Sequence, residues 1–116
     1  MAVVDISQAS GRVPVTIFRF RERIHLGNFA ELENTAKQAY ENGTRDLIID
    51  LDNSNTLTSI GLRALVVIHK IMAQTDNTKR LKVAGATAMI SEIMQVTGIA
   101  EFIDIYDTVE EAIASL

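Results

Sequence analysis

Leu47-Ile48-Ile49-Asp50-Leu51, then a polar interval, then Leu57-Thr58-Ser59-Ile60-Gly61-Leu62-Arg63-Ala64-Leu65 is the stretch on which the fold turns. The unbroken apolar run before Asp50 reads as a strand covered on more than one side, because a half-solvated strand would alternate apolar with polar. Asp50 and Asp52 fall at its C-terminal end, and Asn53-Ser54-Asn55-Thr56 is polar loop. From about 60 to 74, Ala64, Leu65, Ile68, Ile71 and Met72 recur at helical spacing, with Arg63 and Lys70 off that stripe. Thr58 and Ser59 stand where this helix begins, so one of the two hydroxyls is expected to cap it. Gly61, one turn inside, costs a helix about 1 kcal/mol relative to alanine. Close approach of another backbone is the expected reason for it.

Working outward, residues 13–20 read as a strand with Val15 and Ile17 on one face and Thr16, Phe18 and Phe20 on the other. Pro14 is tolerated near a strand start. Residues 3–8 alternate more weakly, and the turn signal Ser10-Gly11-Arg12 makes the two an antiparallel hairpin. Residues 21–26 mix charges with Ile24 and Leu26 and read as a connection. Asn28 is expected to cap a helix striped by Phe29, Leu32, Ala36, Ala39 and Tyr40, with Glu31 completing a capping box and Asn42-Gly43 ending it. Beyond the central helix come a strand at 81–84 and a helix capped by Thr87, carrying Met89, Ile90, Ile93, Met94 and Val96 and closed by Gly98. A strand at 102–106 follows, then a helix capped by Asp107 with Glu110 as a second capping box. The order β-β-α-β-α-β-α-β-α makes residues 1–116 one α/β domain. Its mixed sheet has four to five strands, with parallel strands joined by right-handed crossovers and an N-terminal antiparallel hairpin.

Composition narrows the chemistry. The chain has 116 residues, no Cys and two His, so thiol nucleophiles, Cys-ligated zinc and iron–sulfur clusters are excluded and a His-rich metal site is not expected. Eleven basic against 15 acidic residues leave a net charge of −4, with no basic block to meet nucleic acid. The longest apolar run, residues 64–68, is far short of the ~20 residues a spanning helix needs. No membrane segment, secretory signal or cofactor motif is read, and a soluble cytoplasmic protein is expected. No Ser–His–Asp set or Gly-rich phosphate loop has local motif support. Asp50 and Asp52 do not make a phospho-accepting receiver, whose Mg²⁺ needs an acidic pair after the first strand; solvated loop-end acids, or acids that define the charge offered to a partner, are expected instead. His25 beside Arg21 and Arg23 reads as solvated connection in preference to an anion site, and His69 as a surface or half-buried helix position.

A hydroxyl at a helix start has chemistry beyond capping. Phosphorylated, it carries about −1.5 to −2 charge at pH 7, which would take the chain from −4 to about −6. Free amides and the positive end of the helix accommodate that charge, while a partner surface fitted to a neutral hydroxyl is repelled.

These residues together resemble the STAS domain, the family of anti-sigma factor antagonists and of the cytoplasmic domains of sulfate transporters. The likeness runs from Arg12-Val13-Pro14-Val15-Thr16 through residues 47–65 to Ile93-Met94-Gln95-Val96-Thr97-Gly98-Ile99 and Glu110-Glu111-Ala112. It implies helices mainly on one side of the sheet and a regulatory binding protein, not an enzyme. In anti-sigma factor antagonists the unphosphorylated form binds an anti-sigma factor that is also a serine kinase of the histidine-kinase-like ATPase type, which frees a sigma factor. A PP2C-type phosphatase reverses the modification. Aligned on Gly61, Ser59 takes the phosphorylated position, with Thr58 as second choice. Thr58 stands where many members have Asp or Ser, Ile60 where they have Ser or Ala, and His25 in a commonly acidic position. The implied partner surface is Asn53, Ser54, Asn55, Thr56, Thr58, Ile60, Gly61, Arg63 and His25. The alternative is a STAS scaffold that does not switch, in a signalling assembly or as accessory subunit of a lipid-transport ATPase.

Overall fold

The computed structural model describes residues 3–52, 57–74 and 81–116. The chain opens with the hairpin of β1 (Val4–Ser10) and β2 (Pro14–Phe20), in register from Val4 opposite Phe20 to Ser10 opposite Pro14. There follow α1 (Phe29–Glu41), β3 (Leu47–Asp50), α2 (Ser59–Met72), β4 (Leu81–Ala84), α3 (Ala88–Val96), a short 3-10 turn (Ile99–Glu101), β5 (Asp104–Tyr106) and α4 (Val109–Ala114). The sheet order is β1-β2-β3-β4-β5, with β2 through β5 parallel and Ile17, Ile48 and Lys82 side by side across three strands.

That order explains the layering. Each crossover from β2 to β5 steps one strand in the same direction, so right-handed connections deliver α1, α2 and α3 to one face. There Leu32 and Ala36 of α1, Ala64, Leu65 and Ile68 of α2, and Ile90 and Met94 of α3 bury against Phe18, Leu47, Ile49, Leu81 and Val83. The last helix is bound by no crossover. Ala112 of α4 lies on the opposite face with Val15, Ile48 and Ala84, flanked by Val109 and Ile113. β3 is therefore buried on both sides at every residue, as its unbroken apolar run requires. Among the described residues no helix is long and apolar enough to cross a membrane.

The expected strands and helices are present with shifted ends. Residues 102 and 103 are not strand: the 3-10 turn precedes them, and β5 starts at Asp104. Gly43 (φ 106) and Gly98 (φ 84) end α1 and α3 in the left-handed conformation. Thr87 caps α3 through the Ile90 N–H, as expected. The last helix is capped by Thr108, not Asp107; the Thr108 hydroxyl accepts from Glu111 N–H. Asn28 stands at the start of α1 but makes no side-chain cap. Its amide is used by the preceding connection, and Glu31 accepts instead from the N–H of Val3 at 3.0 Å, tying α1 to the chain start.

Candidate functional site

The C-terminal end of β3 is locked before the chain leaves the sheet. Arg19 and Asp50 are register neighbours on parallel strands, and Arg19 Nε donates to Asp50 Oδ2 at 3.2 Å. The other oxygen, Oδ1, accepts from Asp52 N–H at 2.8 Å, which holds Asp52 in the left-handed region at φ 54. Asp50 is thus a buried anchor, not the solvated acid expected from its position at a strand end; only Asp52 is exposed. The reason is the register: strand pairing set far along the chain brings Arg19 beside it. Its hydrogen bond to Asp50, together with the charges of Asp50 and Asp52, raises the Arg19 pKa above its ordinary value.

α2 begins with Thr58 in extended conformation (φ −90, ψ 175). Its hydroxyl makes two bonds: it accepts from Gly61 N–H at 3.1 Å and donates to the Ile24 carbonyl at 2.7 Å. The first bond satisfies an orphan amide of the helix start. The second pins that start to the connection at residues 21–28, 34 residues earlier. Gly61 sits beneath this joint. A Cβ there would lie 2.5 Å from Leu57 Cδ1 and in ordinary contact, 3.7 Å, with Ile24 Cβ, so it would make the Leu57 side chain shift; its near neighbours are side chains, not the expected backbone.

The connection is hydrogen-bonded within itself. Asn28, only 7% exposed, accepts from His25 N–H at 2.8 Å and donates through Nδ2 to Glu22 Oε1 and the Arg23 carbonyl, each at 2.9 Å. His25 Nδ1 accepts from Gly27 N–H at 2.9 Å, closing a tight turn whose tip is the exposed Leu26. Between connection and β3 lies a cleft of about 280 Å³, walled by Phe20, Arg23, Ile24, Leu51, Asp52 and Leu57 among others.

Ser59 is the first residue of α2. Its side chain is exposed and has no hydrogen-bond partner among the described residues. Arg63 and His25 are exposed as well; Thr58 and Ile60 are half-buried, and Gly61 is buried. The structure thus brings His25, Thr58, Ser59, Ile60, Gly61 and Arg63 to one end of the sheet. Asn53, Ser54, Asn55 and Thr56 lie outside the described residues. Sequence reading missed the Asn28 hub and the Ile24 carbonyl. A carbonyl carries no residue signature, and a buried Asn before a helix looks like a cap. At the far end of α2, His69 stacks at 4.9 Å on Phe102. Burial, and secondarily the charge of Lys70, lower its pKa.

Comparison with known proteins follows this geometry. The STAS domain family model matches residues 7–112. The anti-sigma-B factor antagonist of Staphylococcus aureus is 29% identical over 80 residues, 69% of this chain and 72% of that protein. An anti-sigma factor antagonist from Mycobacterium paratuberculosis superposes with a TM-score of 0.75 at 18% identity, covering 97% of this chain and 92% of its own. The Bacillus cell fate determinant SpoIIAA in its phosphorylated form gives a TM-score of 0.70 at 12% identity, with 97% of each chain covered. At those identities the two structures speak to the fold alone.

Proposed function

The chain belongs to the STAS domain family, and from that premise we propose that it is an anti-sigma factor antagonist switched by phosphorylation of Ser59. Unphosphorylated, it binds an anti-sigma factor that is also a serine kinase, and a sigma factor is released. The kinase transfers the terminal phosphoryl group of ATP to Ser59 Oγ, giving ADP and a proton, and the modified protein lets go. A PP2C-type phosphatase resets it. The protein performs no chemistry of its own in this cycle.

One observation carries the choice of residue. The Thr58 hydroxyl is committed as both donor and acceptor, whereas the adjacent Ser59 side chain is exposed and its hydroxyl has no partner among the described residues. A phosphate on Thr58 would abolish the bond it donates to Ile24 and crowd the cap of α2. A phosphate on Ser59 adds about −1.5 to −2 charge without breaking a native bond. The fold is therefore compatible with either state of Ser59, as a reversible switch needs. His25, Ile60, Gly61, Arg63 and the segment Asn53, Ser54, Asn55 and Thr56 are the partner-facing surface in this reading, with Thr58 positioning it.

The test is incubation with an anti-sigma factor kinase and ATP, then peptide mass spectrometry. Phosphate is expected on Ser59, and phosphate on neither Ser59 nor Thr58 sinks the switch. In a binding assay Ser59→Ala should retain the kinase partner and Ser59→Asp should lose it.

A further inference from the structure

Arg63 stands at the wrong end of α2 for a cation. A helix N-terminus carries partial positive charge and favours acids, yet the first turn of α2 holds no acidic residue and Arg63 follows directly. Several other arginines are engaged, whereas Arg23 on the connection is exposed and has no ion pair among the described residues. Arg19 is held by Asp50, Arg21 by Asp5 at 3.2 Å, and Arg45 by the carbonyls of Tyr40 and Thr44 and by the Tyr40 ring. Arg63 is exposed and has no ion pair among the described residues.

Its position relative to Ser59 gives the charge a use. The two are four residues apart on one helix, a spacing that puts Cβ atoms about 5–6 Å apart. Helical side chains lean toward the N-terminus, so a long side chain covers the turn preceding its own Cα. A long side chain at position 63 is therefore within reach of the turn that Ser59 opens. Thr58 fixes that relation, because its cap sets where the helix begins.

We propose that Arg63 is the intramolecular counter-ion of a phosphate on Ser59. The proposal rests on the reading of Ser59 as the phosphorylated residue. Before modification, Arg63 opposes the field of the helix end. After it, the guanidinium and the phosphate dianion pair along the helix flank, and the dianion also meets the free amides of the first turn. The same residue thus presents a bare cation to a partner in one state and a neutralised one in the other. Among the described residues, the charged or titratable groups at this end of the sheet include Arg21, Glu22, Arg23 and His25 on the connection, the Arg19–Asp50 pair, and Asp52 after β3. Glu22 accepts from Asn28, and none of these lies on α2.

The test uses the full chain with phosphoserine installed at position 59 during synthesis, so that no kinase is required. A ³¹P NMR titration reads the second phosphate pKa, ordinarily about 6. Arg63→Gln is expected to raise it by about 0.3 of a pH unit or more, the size of an i,i+4 charge pair. Arg63→Lys should keep most of the wild-type value, and 1 M salt should erase the difference. Equal midpoints in wild type and Arg63→Gln overturn the proposal, as does a difference that 1 M salt leaves intact. Failure of a kinase to modify Ser59 refutes the switch and leaves this measurement standing; equal midpoints refute the counter-ion and leave the switch standing.

Discussion

Replacing Thr58 by Val keeps the shape of the side chain and deletes the hydroxyl that joins α2 to the connection. Two losses follow. Gly61 N–H forfeits its 3.1 Å cap, worth about 1 kcal/mol at a helix start. The Ile24 carbonyl forfeits its 2.7 Å donor, and a buried acceptor left unpaired costs about 1–3 kcal/mol. Thr58 is half-buried, so water can satisfy part of this, and the lower end of the range applies to the carbonyl. The sum is about 2–3 kcal/mol, a large share of the stability of a domain this size. Urea unfolding followed by circular dichroism should show a lower midpoint with an unchanged slope, the mark of lost stability without change in the surface exposed. Thr58→Ser keeps both bonds and should recover most of the loss. Ser59→Ala removes an exposed hydroxyl and should stay within about 0.5 kcal/mol of wild type. If Thr58→Val falls within that same window, or if Ser59→Ala costs as much as Thr58→Val, the division of labour between the adjacent hydroxyls is wrong.

Asn28→Leu strips three hydrogen bonds from a nearly sealed site and should cost about 2–4 kcal/mol in the same unfolding assay; a loss below about 1 kcal/mol would show that the connection does not depend on this hub. Gly61→Val drives side-chain carbon into Leu57 and toward Ile24 and should cost about 1–3 kcal/mol, with an unperturbed melting curve as the contrary result. His69 makes stability depend on pH in a definite direction. Burial lowers its folded pKa below the 6.5 of the unfolded chain, so above that pH both states are neutral and the group contributes no slope. As pH falls from 6.5 through the lower folded value, the unfolded chain takes up a proton that the folded one resists, and stability drops. His69→Gln should flatten the stability–pH curve just below pH 6.5; an unchanged slope would assign the dependence to other groups.

The helical and strand periods were legible because each is local. Leu47-Ile48-Ile49 announced a doubly covered strand, and the stripe from Ala64 to Met72 announced α2, before any contact was known. Caps were legible only in part. Thr87 caps as expected, but Asn28 finds three partners in the chain before it and leaves the helix end, and Thr108 displaces Asp107 by one residue. Asp50 was misread because nothing near it in sequence indicates Arg19. Only the β2–β3 register does.

Sequence alone determined the order of elements, because apolar spacing sets each one. The strand order β1-β2-β3-β4-β5 belongs to the tertiary structure, and with it right-handed crossovers in one direction leave three helices no other face. It also narrowed the candidate site to two adjacent hydroxyls. Which of them is free was decided only by tertiary structure, because the deciding acceptor is a main-chain carbonyl at Ile24, 34 residues away. Side-chain spacing carries no record of where a backbone oxygen will lie; packing of the Asn28-braced connection against the start of α2 puts it within reach of Thr58 and leaves Ser59 to solvent.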